Sequence, residues 1–365
     1  VAESQKIFPE AGLTDDAQSA PVVLYVTGAS RSGTTLMSRI LGQHSRVHSS
    51  NELHYFGDLF DIAQDREAST VLDHTQATSL SAKLLARERA GVWRGTPEEG
   101  DQLLAQKIVQ SMIGELTGTA VFHATIARVL QSTGADCFCE HTPRNIFYAD
   151  YLLQKNPNAK IIHMIRDPRA VLASQKHRWK RRFLDKVNIP LRETIRVRLG
   201  FHPVTTTKLW QKATHAALSL EDNPRVMLVQ YEDLVRHPEE VVARVAEFAG
   251  LRHEAAMTAI QKMGSSHKTS QLDQHGLTTE SIERWRDSLS VGEIATCERL
   301  TTSLRQRFGY DSSVEPGTGK AAQVLQSVTL PLHLAGAAAI DPKRALIHVK
   351  ALIRSRSAAA RSTSP

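Results

Sequence analysis

Residues 28–35 read Gly28-Ala29-Ser30-Arg31-Ser32-Gly33-Thr34-Thr35. Before them lies an apolar run, Val22 to Val26, which has the length and character of a buried strand. After them Leu36, Met37, Ile40 and Leu41 recur at helical spacing and Gly42 supplies a stop. A strand, a loop with glycines at both ends, and a helix therefore follow one another without a break. Backbone N–H groups in such a loop point inward and cradle an anion, and the helix N-terminus adds its partial positive charge. The spacing matches the ATP-binding phosphate loop, but Thr34 stands where that loop carries its lysine. Arg31, inside the loop, supplies positive charge instead. A serine-hydrolase elbow is a near miss, because Ser32 falls where that motif needs glycine.

The rest of the chain repeats the alternation. Glu52 to Val121 has a mostly helical pattern, with a turn at Gly95-Thr96-Pro97. Cys137 to Glu140 reads as a second strand, and Pro143 to Leu153 as the helix after it. Ile161 to Ile165 is a third strand. Asp167-Pro168 then gives an N-cap and a first-turn proline, so a helix runs on through Ser174. Arg225 to Gln230 is a fourth strand, and Pro238, Glu239 and Glu240 open a helix that closes at Gly250. The expected fold is α/β: a parallel sheet of phosphate-loop type flanked by helices. In such sheets ligands bind beyond the carboxyl ends of the strands, where each motif here falls.

A second anion site follows the third strand. Arg166 ends the strand, and Ser174 and Arg178 are four apart on the predicted helix, which would place them on one face. Two guanidinium groups and a hydroxyl can converge on one phosphate. The alternative is that the arginines are solvated or paired with Asp167.

The combination of Arg31-Ser32-Gly33-Thr34-Thr35 after a strand and Arg166-Asp167-Pro168-Arg169 with Ser174 eight residues past Arg166 resembles the two nucleotide signatures of sulfotransferases that use 3′-phosphoadenosine 5′-phosphosulfate (PAPS). The resemblance covers roughly residues 20–310 and is nearest to the tyrosylprotein branch. It implies that the first loop, through Arg31, Ser32, Gly33, Thr34 and Thr35, binds the 5′-phosphosulfate. It implies that Arg166, Ser174 and Arg178 bind the 3′-phosphate. It further implies that Tyr231, in Tyr231-Glu232-Asp233-Leu234, contacts the nucleotide, and that Ser270 and Arg284, before Trp285, approach it late in the chain. Glu52, 21 residues after Arg31, matches the placement of that branch's catalytic base. The family's usual lysine is replaced by His141 in His141-Thr142-Pro143, so the charge on the bridging oxygen falls to a protonated histidine or to another group.

Sulfuryl transfer needs in-line positioning and stabilisation of the leaving oxygen, here the 5′-phosphate of 3′,5′-adenosine bisphosphate. A sulfuryl group carries less charge than a phosphoryl group, and the sequence offers no carboxylate cluster, so no metal is expected. His44 and His48 have i,i+4 spacing, but the residues between them form no zinc-protease motif. The two competing readings are a kinase-like phosphotransferase and a non-catalytic, membrane-associated nucleotide-binding protein. The acceptor is left open among tyrosyl peptide, glycan, glycolipid and small metabolite.

Charge narrows the partners. The net charge is +7, and from Pro316 onward seven basic residues stand against one acidic, which accounts for +6 of it. The remainder is close to neutral, so no nucleic-acid surface is expected. Lys176 to Arg198 also holds nine basic and two acidic residues and reads as a solvated face. The first residues, 1–20, are polar and read as a flexible tail without the order of a signal peptide. Residues 21–312 are the expected sulfotransferase domain and 313–365 a basic extension. Within that extension Lys343 to Arg356 has the pattern of a basic amphipathic helix able to lie on an anionic membrane, or to pack on its own domain or on a second subunit in a homodimer. Three cysteines without ligand spacing point to a reducing compartment, hence the cytoplasm, with membrane contact at the periphery.

Overall fold

The computed structural model describes residues 20–60, 70–180, 191–259, 279–315 and 317–340. The chain divides into two compact units. The first comprises residues 1–166, 212–262 and 272–279, and the second residues 167–211, 263–271 and 280–365.

The first unit is built on a five-stranded sheet of β1 (Val22–Gly28), β2 (Val47–Ser49), β3 (Cys137–Glu140), β4 (Ala159–Ile165) and β5 (Val226–Gln230). The order is β2-β3-β1-β4-β5, and every pairing is parallel. β1 lies at the centre, with Val22 opposite Cys137 on one side and Val23 opposite Ala159 on the other. The chain winds from β1 to β2 and β3 in one direction, then crosses over to β4 and β5. The switch point therefore lies at the carboxyl end of β1, where an open α/β sheet binds its ligand. Val23, Leu24, Tyr25 and Val26 are all buried, which explains why β1 reads as an unbroken apolar run rather than an alternating one. One apolar cluster packs Val23 and Tyr25 against Leu84, Leu85, Phe122 and Ile126, from helices His74–Arg94 and Gly118–Thr133.

Four expectations change. β2 is a strand that no apolar run announces; it has three residues, His48 and Ser49 among them. The region from Glu52 is not helical at its start. A bent turn, Tyr55–Leu59, precedes the helix, which begins at His74 behind an Asp73/Gln76 capping box. Pro143 to Leu153 is not one helix: a 3₁₀ segment, Pro143–Tyr148, leads into helix Ala149–Lys155. Helix Pro168–Lys176 stops before Arg178, because His177 caps it and Arg178 opens a separate 3₁₀ turn. Ser174 and Arg178 do not share a helical face.

In the second unit, Arg169 is the anchor. Its guanidinium donates to both oxygens of Asp167, to Glu298 Oε1 at 2.7 Å and to the backbone carbonyl of Asp311 at 2.8 Å, and it lies 4.1 Å from the Trp285 ring centre. Ser312 and Ser313 complete the ring of donors on Glu298, which holds that carboxyl below its usual range despite its burial. Helix Lys320–Ile340 also belongs to this unit. It packs so closely on helix Val291–Leu300 that a Cβ at Gly292 would lie 2.4 Å from the Cβ of Ala322. Val324, Leu325, Val328 and Leu332 are exposed on it. Among the described residues no helix is long and apolar enough to cross a membrane. Lys343 to Arg356 and residues 1–19 lie outside the described residues.

Candidate active site

The loop after β1 is held from beneath. Thr27 Oγ1 and His163 Nδ1 meet at 3.0 Å across the β1–β4 pairing. Burial lowers the His163 pKa to about 3, so the ring is neutral and locks the two strand ends together without adding charge. The Ser32 N–H closes a turn onto the Ala29 carbonyl at 3.0 Å. Arg31 and Gly33 take positive φ, 83° and 104°, which turns the loop back over the start of helix Thr34–Leu41. A side chain at Gly33 would strike Tyr231, whose Cδ2 lies 2.6 Å from where a Cβ would be.

The first turn of helix Thr34–Leu41 carries no acidic residue and its N-terminus no side-chain cap. Ser32 is fully buried, and its hydroxyl makes no hydrogen bond among the described residues. A buried hydroxyl and an uncapped helix N-terminus side by side form an anion cradle. Arg166, at the end of β4, donates to the Arg31 carbonyl at 3.2 Å and stacks over the Tyr231 ring at 4.1 Å. Tyr231 begins helix Tyr231–Arg236 directly after β5. Arg31, Ser32, Gly33, Thr34, Thr35, Arg166 and Tyr231 therefore gather at the carboxyl ends of β1, β4 and β5.

Glu52 sits beyond the end of β2. The chain on either side of it is pinned: the Asn51 side chain donates through Nδ2 to the Glu88 carbonyl at 2.8 Å, the Leu53 N–H to Glu140 Oε1 at 3.1 Å, and the His54 N–H to Thr142 Oγ1 at 3.0 Å. Arg87 reaches the carbonyls of Leu53 and His54. Between these anchors the Glu52 side chain is 35% exposed and meets His54 Nε2 at 3.0 Å. A carboxylate held in place yet open to solvent can receive a proton from a bound hydroxyl.

Glu140 is the residue the sequence did not single out. It ends β3, is buried, and accepts from the N–H groups of Leu53 and Thr142, from the Thr142 hydroxyl and from Asn145 Nδ2. Burial raises its pKa above the ordinary carboxylate value. The available signal was an ionisable residue closing an otherwise apolar strand. His141, next in the chain, is buried, and its Nδ1 meets Ser38 Oγ at 3.1 Å on helix Thr34–Leu41. That places it beside the helix that follows the phosphate loop.

In the second unit Ser174 lies on helix Pro168–Lys176 and Arg178 in the turn after it. Arg284 precedes helix Trp285–Ser288 and pairs with Glu280 at 3.7 Å. Ser270 lies outside the described residues. His44 and His48 do not meet: His44 bonds the Arg252 carbonyl, and His48 bonds Glu88 at 2.8 Å. Among the described residues no three histidine, cysteine, aspartate or glutamate side chains gather in a way that could hold a metal ion.

The chain is similar to known proteins. It is 25% identical over 319 residues to nodulation protein NoeE of Sinorhizobium fredii, spanning 83% of this chain and 69% of that protein. It is 22% identical over 328 residues to protein-tyrosine sulfotransferase A of Caenorhabditis elegans, spanning 86% and 74%. Among solved structures, the sulfotransferase domain of the Synechococcus PCC 7002 olefin synthase superposes with a TM-score of 0.50 at 20% identity, covering 84% of this chain and 99% of that domain. A model of the sulfotransferase family matches residues 21–255, a span that holds the loop after β1, Glu52, the Arg166 segment and Tyr231. The chain belongs to the sulfotransferase family.

Proposed function

We propose that the chain transfers a sulfuryl group from PAPS to an acceptor hydroxyl or amine, with Glu52 as general base. The observation that carries the reading is the anion cradle at the end of β1, where a buried Ser32 hydroxyl without a partner adjoins an uncapped helix N-terminus. PAPS fits it: the cradle suits the 5′-phosphosulfate, and Tyr231 with Arg166 over its ring offers a flat cationic wall.

When bound, PAPS supplies the sulfuryl group and a phosphate leaving group. Arg31 and the amides of Gly33, Thr34 and Thr35 take up charge on that phosphate as it leaves. Glu52 withdraws the acceptor proton, and His54 keeps the carboxylate oriented. His141, beside Ser38, stands in for the family's lysine near the bridging oxygen. By the family resemblance Arg166, Ser174 and Arg178 are assigned to the 3′-phosphate, and Arg284 and Ser270 to the nucleotide. The reaction needs no divalent metal in this reading.

The kinship to protein-tyrosine sulfotransferases favours a phenolic or alcoholic hydroxyl as acceptor. Calorimetry against 3′,5′-adenosine bisphosphate and 5′-AMP tests the donor assignment. The bisphosphate binds far more tightly, and Arg166→Ala weakens it while leaving 5′-AMP nearly unchanged. Equal affinity of the parent protein for both ligands would sink the assignment. A screen of acceptors with labelled PAPS then identifies the substrate.

A further inference from the structure

The second unit contains a cavity of about 540 Å³ lined in part by Arg198, Phe201, His202, Glu293, Gln326 and His333. Its volume is in the range of small-molecule sites. Its chemistry is unusual for a surface hollow. His202 is 3% exposed, and neither ring nitrogen makes a hydrogen bond of normal distance and angle, although the Gln326 carbonyl is near enough to favour its protonated form. Gln326 Oε1, on the same wall, is also buried and without a partner. The two ring nitrogens of His202 and Gln326 Oε1 thus belong to side chains in the wall of one cavity and lack a hydrogen bond of normal geometry, a cost that a bound polar group would reduce.

The kind of ligand follows from those atoms. Burial, and then the His333 ring 4.9 Å away, lower the His202 pKa, so His202 is neutral near pH 7. A neutral imidazole offers one donor and one acceptor, and Gln326 Oε1 offers an acceptor. A hydroxyl, which both donates and accepts, satisfies each of them. The fixed charges are Arg198, Lys176 and Glu293. Lys176 is neutralised by Glu293 at 2.7 Å, and Arg198, stacked 5.2 Å from the Trp179 ring centre, leaves one net positive charge. Leu199, Phe201 and Pro203 supply an apolar wall. We propose that this cavity binds a hydroxylated monoanion of the acidic-sugar class, its carboxylate toward Arg198, its hydroxyls on His202 and Gln326, and its C–H face on Phe201. No step of the proposed sulfuryl transfer uses this site.

The full chain is titrated with glucuronate, glucose and cyclohexanecarboxylate, and the histidine ring resonances are followed by NMR. Glucuronate shifts the His202 and His333 signals and binds roughly tenfold more tightly than either of the others, equivalent to about 1.4 kcal/mol. Glucose lacks the charge and cyclohexanecarboxylate lacks the hydroxyls. Arg198→Gln, at an exposed position, reduces glucuronate affinity to that of glucose. Gln326→Leu weakens glucuronate and glucose alike but not cyclohexanecarboxylate. Adenosine bisphosphate binding by both variants serves as the control for folding and stays at the parent value. Unshifted His202 and His333 signals at saturating glucuronate would overturn the proposal, because the cavity would then hold water only. Equal affinity for the three probes would overturn it too.

Discussion

Replacing Glu140 by alanine takes away a carboxyl that accepts from both the Glu52 segment and the turn after β3. Its oxygens receive the N–H groups of Leu53 and Thr142, both of which are buried residues. In Glu140→Ala these two donors lose their acceptor where water cannot replace it. An orphaned buried donor costs about 1–3 kcal/mol, so the pair costs roughly 2–6 kcal/mol. Deletion also relieves the cost of burying a carboxyl, which places the net loss in the lower half, about 2–4 kcal/mol. That is a large share of the roughly 5–15 kcal/mol that holds a typical domain together. Glu140→Gln is the contrast. Its amide oxygen keeps the backbone donors, and Asn145 can turn over so that Oδ1, which has no partner now, accepts from the new amide. Urea denaturation measures both losses, and steady-state kinetics with bisphosphate calorimetry measure their effect on the site. In Glu140→Ala the turnover number falls while bisphosphate affinity holds, because Glu52 loses its anchor and the phosphate loop does not. The pH dependence gives a second check. Burial raises the Glu140 pKa, so the folded protein keeps this proton to higher pH than the unfolded chain, whose value lies near 4.5. Its contribution is full below that value and is lost as pH rises through the folded pKa. Glutamine cannot titrate, so Glu140→Gln gains stability relative to the parent across that window. A Glu140→Ala protein that stays within about 0.5 kcal/mol of the parent and keeps its turnover would refute the anchoring argument.

Three further outcomes are expected. Glu52→Gln lowers turnover on a neutral hydroxyl acceptor by roughly 10²–10⁴-fold with donor affinity unchanged, and the loss shrinks for an acceptor already ionised at assay pH; near-normal turnover with chemistry rate-limiting would move the base to another residue, His54 first. Gly33→Ala meets Tyr231 at 2.6 Å and must hold a φ of +104°, a strain of about 1–3 kcal/mol, so the melting temperature falls by roughly a few degrees and calorimetry finds bisphosphate affinity down roughly tenfold or more. Burial pushes the Cys137 and Cys297 thiols up to about 12, so a thiol-reactive disulfide reagent at pH 8 leaves the native protein unlabelled and reacts at three positions once guanidinium unfolds it.

The parts that the sequence announces are those built from local rules. β1, the loop and its helix are legible because an apolar run, two glycines and helical spacing sit within twenty residues. The helix opened by Pro238 and closed by Gly250 is legible because both ends carry their own signal: a proline at the first position, and a glycine at a φ of 77°. β2 is not legible, since three residues with two polar side chains gain their strand character only from pairing with β3. Helix Pro168–Lys176 ends early for a reason of the same kind. Lys176 Nζ reaches the Ser288 carbonyl and Glu293, so contacts made more than a hundred residues away fix the last turn. Glu140 is not legible because its four donors come from positions before and after it, and only the fold assembles them. The family resemblance points to Arg31, Glu52, Arg166 and Tyr231 as candidates, but how the chain around Glu52 is held and how Tyr231 backs Gly33 are set by the fold.

The strand order also sets a timetable. Of the five described strands β1 is made first and lies at the centre of the sheet, yet its partners are β3, from Cys137, and β4, ending at Ile165. Synthesis runs at about 5–20 residues per second, so the newly made β1 waits roughly 7–28 s for its second edge to be covered. For most of that interval the apolar segment Val22 to Val26 has neither neighbouring strand to pair with, and once Cys137 to Glu140 is made it still lacks the other. Nascent chains stalled before Ala159 would therefore be strong clients for a holding chaperone, and those stalled past Gln230 weak ones. For this chain the costly moment of folding comes early in translation, at the segment that later forms the floor of the phosphate loop.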